Sequence, residues 1–560
     1  MTVSTLPEPI LLEESPQAHQ EVMRSAGIVS AAVLLSRLTG LVREVIMANL
    51  FGAGFAQDSF LLGFRIPNLT RDLFAEGALS SAFVPTFTTS LVKGTKLQAG
   101  ELANLVTTAI LVIVGSLCLI GMFFAPGLVG LLAPGFAAVP GKFELAVRLT
   151  RIMFPFLLFM ALAAQATGML NSSGSFGIPA VASIFFNIGS VGFGLLIGFL
   201  IGPHLGVAPI EGMAYGVLVG GALQFGWQRI KLHSMGFRFR LAWNWSHPGL
   251  RRIFGLMLSA IVGNLAVQVN VIVNTGFATS LLDPVRGHNG PVSWLGYALR
   301  FIQLPLGLFA VAFASAMLPS VSRSAAANNF NEFRRTLARS LAMVFLLTIP
   351  SSLALIVLGR PIIGAIFQSG HFQVYDTQQT ATALTWYATG LVAYASARIL
   401  SPAFYALSDA LTPMVISIFS ILLNIAFPLF FLRVMHMNFA ALALTTALTV
   451  ALECLCLAEC LRRKLGGLEG RYLWSSFVRI TAASLVMAVP LLIISRELFP
   501  GVSASREAYW LELGICIPFG VLLFVLAARA LKVVEIQYLS DQMVKPLQTR
   551  LAAARAKLQS

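Results

Sequence analysis

Apolar runs of about 20 residues, separated by short polar stretches rich in Arg and Lys, recur from residue 24 to residue 534. A helix of that length crosses roughly 30 Å of hydrocarbon, whereas a transmembrane β-barrel would show short alternating segments instead. The runs predict fourteen transmembrane helices, at about 24–50, 58–91, 101–132, 145–170, 178–202, 209–229, 250–282, 290–322, 333–358, 378–406, 411–432, 437–462, 473–496 and 508–534. The second and eighth are long enough to bend. The expected fold is an all-α polytopic membrane protein, and a composition that is 57% hydrophobic and only 11% charged agrees with it.

Two short stretches return at one offset. Pro179–Phe185 (PAVASIF) reappears as Pro413–Phe419 (PMVISIF), and Ser81–Pro85 (SAFVP) as Ser315–Pro319 (SAMLP), both 234 residues later. Six spans separate the copies, which keeps them in the same orientation, so the pattern predicts two parallel six-helix lobes around a central cavity. The expected divisions are a cytoplasmic tail at 1–23, an N-lobe at 24–232 and a C-lobe at 233–464. Two extra helices at 465–536 and a second cytoplasmic tail at 537–560 follow.

Charge then orients the chain. With the amino terminus inside, 23 Lys and Arg fall on the cytoplasmic side and 8, including Lys142, Arg286 and Arg360, on the other. Topology thus accounts for the formal charge of +15 without nucleic acid. Acidic residues between Glu8 and Glu21 argue against a cleavable signal peptide. The five cysteines lie in apolar runs without ligand or redox spacing and read as small core residues.

The informative exceptions are charges within the runs, because arginine at mid-membrane is costly and ordinarily faces water or a partner. In the first span Arg37 and Arg43 point roughly 120° apart, and Glu44 shares the face of Arg37. An Arg37–Glu44 ion pair would be a purely structural alternative. The second span carries Asp58, Pro67, Asn68, Arg71, Asp72 and Glu76, with Pro67 expected to bend it. A self-neutralising patch is the alternative there. The eighth carries Ser293, Tyr297, Arg300 and Gln303 as one helical stripe. Arginine outnumbers its internal partners, and guanidinium forks suit phosphate or carboxylate, so an anionic substrate is expected.

Enzymatic readings find little support. The chain lacks H-E-x-x-H, G-x-S-x-G and Walker patterns, and its seven histidines are scattered. No cofactor is expected. Energy for transport must come from a gradient, the membrane potential or a partner.

The motifs S-R-x-x-G-x-x-R (Ser36–Arg43), F-G-A-G-x-x-x-D (Phe51–Asp58), P-N-L-x-R-x-x-F-A-E-G-A (Pro67–Ala78), A-F-V-P (Ala82–Pro85) and F-x-x-G-x-F (Phe367–Phe372) stand beside the eighth-span stripe and the Pro402–Pro413 segment. Through them the chain resembles the MurJ/MviN lipid II flippases of the multidrug/oligosaccharidyl-lipid/polysaccharide exporter superfamily. The resemblance implies export of the undecaprenyl-pyrophosphate-linked peptidoglycan precursor, lipid II, across the bacterial cytoplasmic membrane. It implies that Arg37, Arg43 and Arg300 hold the pyrophosphate, with Asp58, Asn68, Arg71, Glu76 and Ser293 as functional neighbours. Ser36 and Gly40 would lie at a flexing part of the first helix, and the last two helices would form a groove for the polyprenyl tail. Pro67, Tyr297 and Gln303 are expected to support the site from the bend and the helical stripe alone, and Gln303 departs from relatives that have an acidic residue there. Where some members bind sodium through a seventh-span Asp, this chain has Asn274, with Asn424 nearby in the eleventh; these are the metal candidates.

The resulting expectation is a monomeric flippase working by alternating access, driven by membrane potential or an ion gradient, with cell-wall synthesis proteins as possible partners. The alternatives are a flippase for another polyprenyl-linked oligosaccharide, a cation-coupled drug exporter of the same superfamily, or a membrane glycosyltransferase. For the last, only His371 and Asp376 offer themselves on the longer external loop.

Overall fold

The computed structural model describes residues 16–72, 79–499 and 505–537. Glu76 lies outside them, as do residues 1–15 and 538–560 of the two expected tails. Among the described residues there is no strand; a lone bridge between Asp283 and Gly287 closes a turn.

The helices in chain order are α1 (Pro16–Phe51), α2 (Phe55–Arg71), α3 (Ser80–Lys93), α4 (Lys96–Phe123), α5 (Ala125–Leu132), α6 (Lys142–Met153) and α7 (Phe156–Ser172). Then come α8 (Gly177–Leu195), α9 (Gly202–Leu205), α10 (Pro209–Ser234), α11 (Pro248–Ser280), α12 (Pro291–Pro305) and α13 (Val311–Ala326). The chain continues through α14 (Phe330–Phe367), α15 (Val374–Thr389), α16 (Leu391–Ala406), α17 (Leu411–Leu429), α18 (Ala440–Leu465), α19 (Gly470–Glu497) and α20 (Arg506–Ala530). Nine described helical stretches are long and apolar enough to cross a membrane; the count of fourteen rests on the sequence pattern.

Several expected spans are broken, each at an identifiable residue. The eighth bends where Pro305 ends α12 and a wide π turn, Leu306–Ala310, precedes α13. The fourth divides at Pro155 into α6 and α7, and the tenth at Gly390 into α15 and α16. Proline removes a backbone donor and crowds the preceding turn, so the breaks at Pro155 and Pro305 follow from covalent structure.

The repeat is visible in the helices themselves. α4 and α14 begin 234 residues apart, at Lys96 and Phe330, and so do α8 and α17, at Gly177 and Leu411. α8 and α17 also end in register, at Leu195 and Leu429, and each continues directly into a π turn.

The chain divides into two compact units. The first comprises residues 1–46, 66–123 and 149–261. Its tightest packing joins α8 and the π turn after it, Leu196–Ile201, to α10 through Gly212, Gly216 and Gly220, which recur every fourth residue and therefore line one face. A Cβ on Gly216 would stand 2.2 Å from the Ser190 carbonyl oxygen, and one on Gly212 2.2 Å from the Cα of Gly198. Lipid is as apolar as leucine, so close backbone approach rather than water exclusion holds such helices together. A single leucine at Gly216 would pry them apart.

The second unit comprises residues 47–65, 124–148 and 262–560. Its longest helix, α14, packs on α19 and α20, where Leu358, Ala365, Met487, Leu491, Tyr509, Leu513 and Cys516 form a buried cluster. Val486, Val489 and Ile493 of α19 and Ile517, Val521 and Leu522 of α20 remain exposed, as a lipid-facing surface requires. All five cysteines are free thiols, two of them buried.

Candidate functional site

In the first unit, α1 runs unbroken through Ser36 and Gly40. Asn187 of α8 donates its amide to the Ser36 carbonyl (3.0 Å) and the Thr39 hydroxyl (3.1 Å), pinning this stretch of α1. Arg37 points outward, is exposed, and has no carboxylate at ion-pair distance among the described residues. Glu44 is paired instead with Arg43, at 3.1 Å, and the Arg43 guanidinium lies 5.4 Å from the ring centre of Phe186. Arg71 donates through Nε and Nη2 to Asp72 (3.1 and 2.9 Å) at the end of α2, while Pro67 is buried and Asn68 half-buried one turn earlier.

In the second unit the eighth-span stripe divides. Ser293 and Tyr297 are buried, whereas Arg300 and Gln303 are exposed further along α12. The buried half belongs to a lock centred on Asp58. This carboxylate accepts from Lys142 Nζ (2.8 Å), the backbone N–H groups of Gly290 (2.9 Å) and Ser293 (3.0 Å), and the Ser293 hydroxyl (2.5 Å). It thereby satisfies the open N–H groups at the start of α12 from another helix, as an anion at a helix N-terminus does. Lys142 gives its other two protons to the His288 carbonyl and Asn289 Oδ1, both at 2.9 Å, and rests 4.3 Å from the centre of the Phe136 ring. Neither Asp58 nor Lys142 has any side-chain exposure. A buried pair is tolerable only when each remaining proton and lone pair is engaged, and here they are.

A second charge pair stands beside the first. Asp376 accepts from Arg286 (2.7 Å), the Trp294 indole (2.9 Å) and the Gln373 N–H (3.0 Å), and Arg286 also reaches the Ala53 carbonyl (2.8 Å). Burial lifts the Asp376 carboxyl above its ordinary range, and these donors pull against that shift. Tyr297 closes the interior with Phe367 and Phe372, at ring separations of 4.8 and 5.6 Å. Asn49 bonds Ser369 at 2.8 Å and accepts the His371 N–H at 2.9 Å. Sequence reasoning counted Lys142, Arg286 and Asp376 as loop residues and missed their pairing. The available signal was that two acids and two bases fall in segments assigned to the same side of the membrane.

The second unit also contains a cavity of about 430 Å³. Arg65, Tyr394 and Arg398 line part of it, with Gln303; Asn270, Asn274, Ser420, Asn424, Thr449 and Glu453 line another part. Arg65 donates to the Thr275 hydroxyl at 2.6 Å. Asn270 Oδ1 accepts from both Asn274 and Asn424. Glu453 accepts from Ser420 (2.9 Å) and has no cationic side chain at ion-pair distance among the described residues. Asn274 Oδ1, Asn424 Oδ1 and Thr449 Oγ1 are buried without a donor among the described residues. Buried oxygens lacking donors, in a cavity that the Glu453 carboxylate also lines without a direct ion pair among the described residues, fit a small hard cation. Asn274, Asn424, Thr449 and Glu453 are the residues that would hold it. Glu453 was not singled out from the sequence, although a carboxylate inside an apolar span is itself a signal.

The family model described as "Lipid II flippase MurJ" matches residues 47–509. A protein named lipid II flippase MurJ from Burkholderia cenocepacia is 36% identical over 71% of this chain and 76% of its own length. A probable lipid II flippase MurJ from Vibrio cholerae is 35% identical over 78% of this chain and 82% of its own. Among solved structures, a lipid II flippase MurJ in an inward closed conformation superposes with a TM-score of 0.71 at 25% identity, covering 89% of this chain and 97% of the other. An inward-facing multidrug resistance transporter of the MATE family shares the fold, with a TM-score of 0.63 at 14% identity over 80% of this chain and 99% of that one. With more than half its length matched, the chain belongs to the lipid II flippase MurJ family.

Proposed function

We propose that the protein is a lipid II flippase that carries the undecaprenyl-pyrophosphate-linked precursor from the inner to the outer leaflet of the bacterial cytoplasmic membrane, with both termini in the cytoplasm. Family membership supports the substrate. The observation that carries the mechanism is the division of α12: Ser293 at its start is bonded to Asp58, and Arg300, two turns on, is exposed. Seven residues of helix span about 10 Å, so whatever moves Ser293 moves Arg300 with it.

In this reading Arg37, Arg43 and Arg300 bind the pyrophosphate, and Asn68 and Arg71 support the headgroup. Asp58 and Ser293 act through the lock, whose two charge pairs, one fully buried, tie α2, α6, α12 and α15 together within the second unit. Alternating access requires the lock to open and reform, and the substrate shifts that equilibrium only by binding one state more tightly than the other. The cavity beside Glu453 is the place for ion coupling: a bound cation would supply positive charge between α11, α17 and α18. The protein acts as a monomer and delivers lipid II to cell-wall synthesis proteins.

Complementation of a flippase-depleted strain tests this reading. Wild-type protein is expected to restore growth and cell shape, and Arg37→Ala and Arg300→Ala to fail while inserting normally. Full rescue by the Arg37→Ala/Arg300→Ala double variant would remove the proposed role of the arginines.

A further inference from the structure

The first unit holds a separate cavity of about 230 Å³ that none of the residues discussed above lines. Its walls are largely apolar: Ala103 and Leu111 from α4, Leu162 and Met169 from α7, Phe225 and Leu232 from α10. A non-helical strap between α10 and α11 closes one side with Phe237 and Phe239, and two cations, Arg229 and Arg238, complete the lining.

The strap is fixed by side chains. Arg229 donates to the Phe237 carbonyl at 2.8 Å, and the N–H groups of Arg240 and Ala242 donate to Asn104 (3.2 Å) and Thr108 (3.1 Å), one turn apart on α4. At every second position it exposes a large apolar residue: Phe239, Leu241, Trp243 and Trp245. Between and beyond them stand Arg238, Arg240, Arg251 and Arg252, all exposed and without a carboxylate at ion-pair distance among the described residues. The strap is bonded to α4, which is long and apolar enough to span a membrane, so a membrane around α4 would put lipid beside these side chains. Tryptophan beside arginine is the composition of the headgroup level, and clustered arginine attracts anionic lipid.

We infer that the first unit binds an anionic phospholipid of the leaflet around it, with an acyl chain in the α4–α7–α10 cavity, the phosphodiester on Arg229 and Arg238, and Trp243 and Trp245 beside the headgroup. The site is independent of which lipid the protein transports. The apolar walls favour a phosphate that carries a hydrocarbon chain over a soluble one, and the basic rim favours a headgroup with net negative charge.

Native mass spectrometry of the purified full-length protein, titrated with phosphatidylglycerol or phosphatidylcholine, tests this. Phosphatidylglycerol is expected to bind preferentially. Arg238→Gln should weaken it by about fivefold, whereas Arg323→Gln, an exposed arginine of the second unit, should not. Ala166→Leu, which fills the cavity, should weaken it as well; if that variant does not fold, Arg238→Gln decides. Equal binding of phosphatidylcholine, or equal losses in Arg238→Gln and Arg323→Gln, would overturn the inference. So would displacement by glycerol phosphate, which would indicate a soluble-phosphate site, or by undecaprenyl pyrophosphate, which would assign the cavity to the transported lipid.

Discussion

Lys142 Nζ lies 2.8 Å from Asp58 Oδ2, and neither side chain is exposed to solvent. The pair joins α2 to α6 at the point where Asp58 also accepts from the first N–H groups of α12. Removing one partner leaves an unpaired buried charge, so Lys142→Met should destabilise by about 3 to 5 kcal/mol. Asp58→Leu combined with Lys142→Met should cost less than the sum of the two single changes. Thermal unfolding in detergent around the full double-mutant cycle measures this; strict additivity would contradict the lock.

Gly370 should be nearly irreplaceable. Its φ of +58° disfavours any side chain, and a Cβ would stand 2.3 Å from the Asn49 carbonyl oxygen. Gly370→Ala should therefore cost more than about 1 kcal/mol. Gly54→Ala, where nothing lies within 4 Å, should be close to neutral. The difference in melting temperature between the two variants checks it.

Arg300→Ala should cost no more than about 1 kcal/mol of stability, because contacts of an exposed charge contribute little. Loss of a charged hydrogen bond to pyrophosphate, about 1.5 to 3 kcal/mol, should lower lipid II affinity by roughly 10- to 100-fold. Arg300→Lys should recover part of this, since it keeps the charge and loses the fork. A lipid II titration of the three proteins by native mass spectrometry gives the comparison.

If the oxygens around Glu453 hold a cation, sodium should raise the melting temperature relative to choline. A hundredfold excess over Kd corresponds to about 2.7 kcal/mol of stabilisation. Glu453→Gln should abolish the sodium response without unfolding the protein. An unchanged response would place the ion elsewhere.

The sequence pattern made the helical membrane fold legible, and the 234-residue offset read from two short stretches recurs in helix starts that the spans did not place, Lys96 with Phe330. Span breaks at Pro155 and Pro305 were local events that hydropathy averaging hides. At the site, Arg37 and Arg300 stood out because isolated charge in an apolar run is visible in one dimension. The partners of Asp58 were not, because Lys142 and Ser293 lie 84 and 235 residues away and only the fold brings them together. Glu44 illustrates the same limit: helical periodicity placed it on the face of Arg37, yet it bonds its neighbour Arg43.

The central claim is that the protein moves lipid II across a bilayer through its arginines. The most direct test is reconstitution into vesicles carrying labelled lipid II, with a membrane-impermeant reagent reporting its appearance in the opposite leaflet, with and without an imposed potential. Wild-type protein should transfer lipid II, and Arg300→Ala, equally folded and equally reconstituted, should transfer it at least tenfold more slowly. Equal rates for the two proteins, or no transfer by the wild type under any gradient, would contradict the account.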